Sequence, residues 1–498
     1  MVQGSEKYSI KDMPHSSEDY STVKTLFIPK RVAFVGASEN AKMGTSYFMN
    51  AFKESKWKDS FYPVNPNQDK VFDWKSYPSV LAIPDPIDEV YIAIKAKLVP
   101  PVVKECVEKG VKWVIIFSSG FSELGTKEGQ KLTDKIIQYT EGTETRVVGP
   151  NCLGPFYARY GMNLDYARED SIADPPGRVS FMSQSGGHLA NLVDAGGKMD
   201  IDFCYGISFG NQIDINCVDI LKFYLQDEET EIIAAYLESL GRINKGKGYR
   251  FVNLLRKTTV QKPVILWKGG FTEAGAQAAS SHTGAISTSS EMWETAAKQT
   301  GSILVRDNIE FWNMIKTLDI IFPNKLPRGR NVGIITPGGG ISVNSTDTFD
   351  FHGLSVPQLT KNTQEKLSKI LPGVNTNIKN PIDLGFSGFF IEIFINVLKE
   401  LVKDDNIDII VLPLWPDHYY RFMVKKFIKV EKQSNKPFIY VFPNASDSLE
   451  NAKKFNKIRR LMHKKNSLYL YSIQHAARIL KLTCDYVDYL KNLGKFPQ

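Results

Sequence analysis

Short, mostly apolar runs recur along this chain, and three of them end alike. Arg31-Val-Ala-Phe-Val leads into Gly36-Ala37-Ser38, and Arg178-Val-Ser-Phe-Met leads into Ser183-Gln184-Ser185-Gly186-Gly187. Asn331-Val-Gly-Ile-Ile leads into Thr336-Pro337-Gly338-Gly339-Gly340. Such runs, bounded by turn-forming residues, have the length of a buried strand. The stretch after each turn is helical in character, as at His188–Val193. A strand feeding a tight Gly/Ser turn into a helix leaves unpaired N–H groups and a partial positive charge at the helix start, a natural seat for an anion. The device returns about every 150 residues, one α/β domain per repeat.

The alternation continues inside each repeat. The pattern predicts strands at Glu89–Ile94 and Lys112–Phe117 around a helix at Val99–Lys109. Further strands are expected at Glu231–Leu237, Pro263–Trp267, Ile407–Leu414 and Pro437–Phe442. Strands that alternate with helical stretches imply parallel sheets covered on both faces. The expected fold is α/β, with three consecutive doubly wound domains at 26–150, 151–324 and 331–498 after a tail at 1–25. The polar stretch Pro323–Arg330 reads as the second linker, and the first boundary falls near Gly149-Pro150-Asn151.

A length of 498 residues suits several domains, and 62 basic against 54 acidic residues leave a net charge of +8. That excess fits small anionic ligands, and no Lys/Arg block with interleaved aromatics points to nucleic acid. The five cysteines include no Cys-x-x-Cys pair, which argues against a disulfide framework or zinc site and for a reducing compartment. Residues 1–17 are polar and unlike a signal peptide, and runs such as Ile409–Trp415 are too short to span a bilayer. A cytoplasmic protein without membrane contact is expected.

Candidate chemistry centres on His282, in Ser280-Ser281-His282-Thr283-Gly284-Ala285. Small neighbours let a bulky anion reach the imidazole, and hydroxyls and backbone N–H groups are at hand to bind it. That is the setting of a nucleophilic, transiently phosphorylated histidine. The small residues of 271–285 suggest a mobile loop around it. At the first turn the spacing Gly36, Ser38, Gly44 departs from G-x-G-x-x-G, and the residues by themselves leave CoA and a dinucleotide both open. Cys152 has no identifiable base partner and reads as structural.

The ordered run from Lys268-Gly-Gly-Phe-Thr-Glu through His282 to Trp293-Glu-Thr-Ala-Ala-Lys-Gln-Thr-Gly301 resembles the phosphohistidine segment of NDP-forming acyl-CoA synthetases, relatives of succinyl-CoA synthetase. The likeness extends over roughly residues 25 to 490. It implies a Rossmann-like CoA-binding domain followed by two flavodoxin-like, succinyl-CoA synthetase-like domains. CoA would be held by Gly36, Ala37, Ser38, Lys42 and Gly44, by Asn65 and Pro66 in Tyr62-Pro-Val-Asn-Pro66, and by Ser119, Gly120 and Glu123 in Ser118–Glu123. Gly149-Pro-Asn-Cys152 resembles the entry to the second domain. Phosphate would be held by Ser183, Gln184, Ser185, Gly186 and Ser281, and by Gly338, Gly339 and Gly340 of the third turn, near Asn380-Pro-Ile-Asp383-Leu384. Glu238 matches the carboxylate that orients the catalytic His282, although an ordinary strand-end charge accounts for it equally. No metal ligand is expected on this chain.

One family part has no counterpart in the sequence: the ATP-grasp domain, which binds ADP or ATP with Mg²⁺. The resemblance therefore implies the α subunit of an ADP-forming acyl-CoA synthetase, working in an α2β2 assembly with a β-type ATP-grasp partner. The pair would convert acyl-CoA, phosphate and ADP to a carboxylic acid, CoA and ATP, reversibly. Two other classes stay open: a CoA- or acyl-CoA-binding regulatory protein, and a CoA transferase using Glu123 or Glu238 as nucleophile.

Overall fold

The structure, a computed structural model, describes residues 20–39, 45–55, 57–158, 177–241, 246–283, 289–415, 421–443 and 448–496. The chain forms two compact units. Met1–Ala195, Phe203–Leu254 and Thr272–Thr288 make the first, and Gly196–Asp202, Leu255–Phe271 and Ser289–Gln498 make the second.

In the first unit, five parallel strands lie in the order Phe61–Val64, Val32–Val35, Glu89–Ile92, Trp113–Ile116, Arg146–Val148. The order reverses between Val32–Val35 and Glu89–Ile92, the topological switch point where open α/β sheets bind ligands. Phe61–Val64, Val32–Val35 and Trp113–Ile116 read as unbroken apolar runs, as expected of parallel strands covered on both faces. The expected helix Val99–Lys109 is present with those limits, with prolines in its first turn and closed by Gly110 at φ 74°. A second sheet places Ile232–Leu237, Val179–Ser183 and Phe203–Ser208 in parallel, with Gly154–Tyr157 antiparallel at its edge. Phe27, on the helix Tyr20–Phe27, packs edge-on to Tyr205 and stacks on Phe223.

The second unit repeats the first sheet's order, with parallel strands Ile382–Asp383, Val332–Thr336, Ile409–Pro413, Phe438–Val441 and Tyr469–Leu470. Val264–Lys268 and Ile303–Val305 pair with each other in parallel. The strands expected from the pattern all appear, their ends moved by one or two residues. Buried charge knits this unit: Asp200 accepts from Arg459 Nη1 at 2.7 Å and from the Tyr469 hydroxyl at 2.8 Å. Lys316 lies over the Tyr469 ring, and burial holds its ammonium well below the usual lysine range.

Glu89 opens a central strand of the first unit and is wholly buried. Burial pushes its carboxyl well above the usual carboxylate range. Folded protein therefore keeps a proton that the unfolded chain loses at about pH 4.3, so this group's contribution to stability is fully present at low pH and is lost as pH rises through the folded value. Glu89→Leu is expected to gain about 1–3 kcal/mol at neutral pH and to flatten that decline. Urea unfolding across pH 5–8 checks it, and an unchanged slope would sink it. The five cysteines are buried and form no disulfide, and among the described residues no helix is long and apolar enough to cross a membrane.

Candidate functional site

Because the strands of the first sheet are parallel, the loops that follow them gather at one edge. Gly36–Ser38, Asn65-Pro66, Ile94–Leu98 and Ser118–Glu123 all lie there. They are laced together. Gly36 N–H donates to Val64 O at 3.0 Å, the Asn65 amide donates to Ala37 O at 2.9 Å, and Ser118 Oγ accepts from Ile94 N–H at 3.0 Å. Gly36 has φ +94°, and a Cβ there would stand 2.4 Å from Ala93 O. The sheet itself thus demands glycine, so a substitution at Gly36 tests the fold before it tests a ligand. Lys42 and Gly44 lie outside the described residues. Ser119 is exposed and Gly120, at φ +108°, is half-buried.

Glu123 takes a different part from the one expected. It is buried; Oε1 accepts from Gly120 N–H at 2.5 Å and Phe121 N–H at 3.0 Å, and Oε2 accepts from the Asn211 amide at 2.5 Å. A carboxylate so engaged shapes its loop and is poorly placed to attack a thioester, which weakens the transferase reading. Lys95 and Lys97, exposed at the same edge, were not singled out from the sequence. Their signal was there: basic residues immediately after a buried strand of a doubly wound sheet.

The second turn is fixed by its own side chains. Ser183 Oγ accepts from Ser185 N–H at 3.0 Å and donates to Ser185 O at 2.7 Å, fixing the turn before the helix Gly186–Met199. Gln184 Oε1 accepts from Glu238 N–H and Ser239 N–H, each at 3.0 Å. Gln184 thereby ties two strand ends, leaving Ser185 and Gly186 half-buried at the helix start. Glu238 is buried there, its Oε1 accepting from the Tyr236 hydroxyl at 3.3 Å. His188, in the helix's first turn, has its ring centroid 4.2 Å from that of Tyr236. Burial lowers its pKa below the ordinary histidine value, so at neutral pH it offers a hydrogen bond rather than a charge. The sequence reading named it only as part of a helix.

His282 stands in the last turn of a helix, Glu273–Thr283, where a loop was expected. Ala274, Ala276, Ala278 and Ala279 explain the difference: alanine has the highest helix propensity, and Thr272 Oγ1 accepts from Gly275 N–H at 3.1 Å to cap the start. This helix packs against the single turn Ser122–Leu124 at the edge of the first sheet. The side chains of Ser280 through Thr283 and all of Gly284 and Ala285 lie outside the described residues.

In the second unit, Gly338 caps the helix Gly339–Phe351. A groove of about 290 Å³ beside it is lined by Pro337, Gly338, Gly340, Ile341, Phe389 and Trp415. Asp383, on the neighbouring strand, accepts from Gly385 N–H at 2.9 Å and sets its other oxygen 3.3 Å from where a Gly339 Cβ would lie. Ser183–Gly186 with Glu238 and Gly338–Gly340 with Asp383 are therefore built alike, each a helix start beside a strand-end carboxylate. Cys152 is buried against Ile116 O and Val148 O, both at 3.5 Å, and burial pushes its thiol up to about 12, which suits packing and not attack.

Residues 30–157 match the family model of the CoA binding domain, and residues 176–318 match that of the succinyl-CoA ligase like flavodoxin domain. The α subunit of acetate–CoA ligase [ADP-forming] II from Pyrococcus furiosus is 34% identical over 386 residues, covering 77% of this chain and 80% of that one. Acetate–CoA ligase [ADP-forming] II from Archaeoglobus fulgidus is 31% identical over 432 residues, covering 85% of this chain; the chain spans only 62% of that relative's length. Among solved structures, the dinucleotide forming acetyl-coenzyme A synthetase 1 of Ca. Korarchaeum cryptofilum, in complex with phosphate and ADP, superposes with a TM-score of 0.80 at 27% identity, covering 95% of this chain and 98% of that one. The chain belongs to the family of ADP-forming acetate–CoA ligases.

Proposed function

We propose that this chain is the CoA- and phosphohistidine-bearing α subunit of an ADP-forming acyl-CoA synthetase. The observation that carries the reading is the seating of the His282 helix on the Ser122–Leu124 turn, which sets the histidine's helix at the CoA-side edge. Phosphate attacks the acyl carbonyl and the CoA thiolate leaves, giving an acyl phosphate. His282 then attacks phosphorus, the carboxylate leaves, and the phosphohistidine passes its phosphoryl group to ADP. Glu238 orients the imidazole. The helix starts at Ser185-Gly186 and at Gly338–Gly340 are each suited to offer N–H groups to phosphoryl oxygens, where charge accumulates during transfer, and Ser281 is assigned a hydroxyl contact to phosphate. Domain limits at 26–150, 151–324 and 331–498, a cytoplasmic setting, and a β-type ATP-grasp partner holding ADP and Mg²⁺ belong to the same proposal.

At the CoA edge, Gly36–Ser38, Lys42, Lys95 and Lys97 are assigned to the phosphates of CoA. Losing a charge-assisted hydrogen bond costs about 1.5–3 kcal/mol, so Lys95→Glu with Lys97→Glu is expected to weaken CoA binding about tenfold or more. Both side chains are exposed, which leaves the fold intact. Calorimetric titration with CoA decides it. No CoA uptake by the wild-type chain would overturn the functional reading, while undiminished affinity in the double variant would move the phosphate contacts elsewhere.

A further inference from the structure

Asn211 belongs to no motif singled out from the sequence, yet the hydrogen bonds of the first unit converge on it. Its side chain donates to Glu123 Oε2 at 2.5 Å, and Glu123 Oε1 in turn organises Gly120 and Phe121. Its backbone N–H donates to Pro150 O at 3.0 Å, and the next residue along, Asn151, donates from its N–H to Ser118 O at 3.0 Å. The flanking residues are forced into unusual shapes. Gly210 has φ +50°, with a would-be Cβ 2.1 Å from Pro150 O, and the fully buried Gln212 has φ +55° without being glycine. Non-glycine residues persist in that region only where the surroundings over-determine them, commonly at functional sites. Gln212 reaches the other ligand edge, donating to Ser239 O at 3.4 Å and accepting from Cys217 N–H at 3.1 Å. Phe209 N–H donates to Ser183 O at 3.1 Å. Ser239 and Glu238 are both held by Gln184.

A continuous path therefore runs from the Gly120–Glu123 loop, through Asn211 and Gln212, to the strand end that carries Glu238. The His282 helix rests on the same Ser122–Leu124 turn. We propose that Asn211 is a positioning residue that keeps the CoA-side loop, the seat of the His282 helix and the phosphate-side strand ends in one register, so that a ligand ordering one edge favours binding at the other. This rests on the proposed function, because it takes CoA for the first edge and phosphate for the second. A ligand that orders shared elements lowers the ordering cost for the next, and the effect is reciprocal.

The test is calorimetric titration of the full chain with CoA, with and without saturating inorganic phosphate. Phosphate is expected to tighten CoA binding about fivefold or more in the wild type. Asn211→Asp sets two carboxylates face to face and is expected to bring that factor to about one, with CoA still bound. Glu123→Gln combined with Asn211→Asp restores a donor and an acceptor, since Gln can accept from Gly120 and Phe121 while its amide donates to the new carboxylate. The pair is expected to recover the factor, which a merely local packing role would not do. A wild-type factor of one, coupling retained in Asn211→Asp, or no recovery in the double variant overturns the inference alone. Failure of the wild type to bind CoA at all overturns the functional reading and this inference with it.

Discussion

His282→Asn is expected to abolish transfer of labelled phosphate from an acyl phosphate onto the chain, a fall of about a thousandfold or more. Asparagine is polar and of similar reach, so the helix Glu273–Thr283 and its packing on Ser122–Leu124 should persist. What disappears is a nitrogen nucleophile whose lone pair can attack phosphorus. No other residue described at the Ser183–Gly186 seat replaces it: His188 is turned against Tyr236, and Glu238 would form a mixed anhydride of different lability. Label on the wild type should be acid-labile and base-stable, as expected for a phosphorus–nitrogen bond. CoA titration of the variant supplies the control, since its affinity should stay within about twofold of wild type. Undiminished, acid-labile labelling of His282→Asn would remove the histidine from the mechanism and move attention to His188.

The second large effect concerns nucleotide. Incubated by itself with acyl-CoA, ADP and phosphate, the chain is expected to form no ATP, and a β-type ATP-grasp chain should raise turnover to the ordinary range of about 1–1,000 per second. The reason lies in how the anion seats are distributed. Under the proposed function the edge at Gly36 takes CoA, and the helix starts at Ser185 and Gly338 take phosphoryl groups. The relative from Archaeoglobus fulgidus is longer, the chain spanning 62% of it, whereas the chain spans 80% of the Pyrococcus furiosus α subunit. Coupled assay of ATP, with and without the added chain, reads the result directly. ATP formation by the isolated chain at ordinary enzymatic rates would show that a nucleotide site exists on it, with the groove beside Gly338 as the first place to look.

The strands were readable because parallel strands covered on both faces are apolar at every position. Val32–Val35 and Ile409–Pro413 have no alternating polar residue to blur their limits. The glycine turns were readable for the same local reason, as each follows its strand directly. The His282 helix was not, because small residues serve loops and helices alike; only the alanines, weighed by propensity, separate the two. The loop-shaping part of Glu123 was not legible, since a carboxylate that binds its own loop looks the same in sequence as one that meets a ligand. Lys95 and Lys97 gain meaning only from the strand order, which brings the loop after Glu89–Ile92 beside the one after Trp113–Ile116. Asn211 and Glu123 are 88 residues apart, and nothing in either neighbourhood announces the other.

The segmentation of the two units bears on how the protein is made. Each unit is assembled from three stretches of chain, with the other's segments spliced between them. The first cannot close until Thr272–Thr288 has been synthesised, and the second draws Gly196–Asp202 from the amino-terminal half. Neither is an autonomous folding block in the order of translation, and their contacts span long sequence separations that slow folding. A cut near Gly149-Pro150 would fall inside the first unit, and one within Pro323–Arg330 inside the second. The interleaving therefore works against evolutionary shuffling of the pieces and favours inheritance of the chain as a whole.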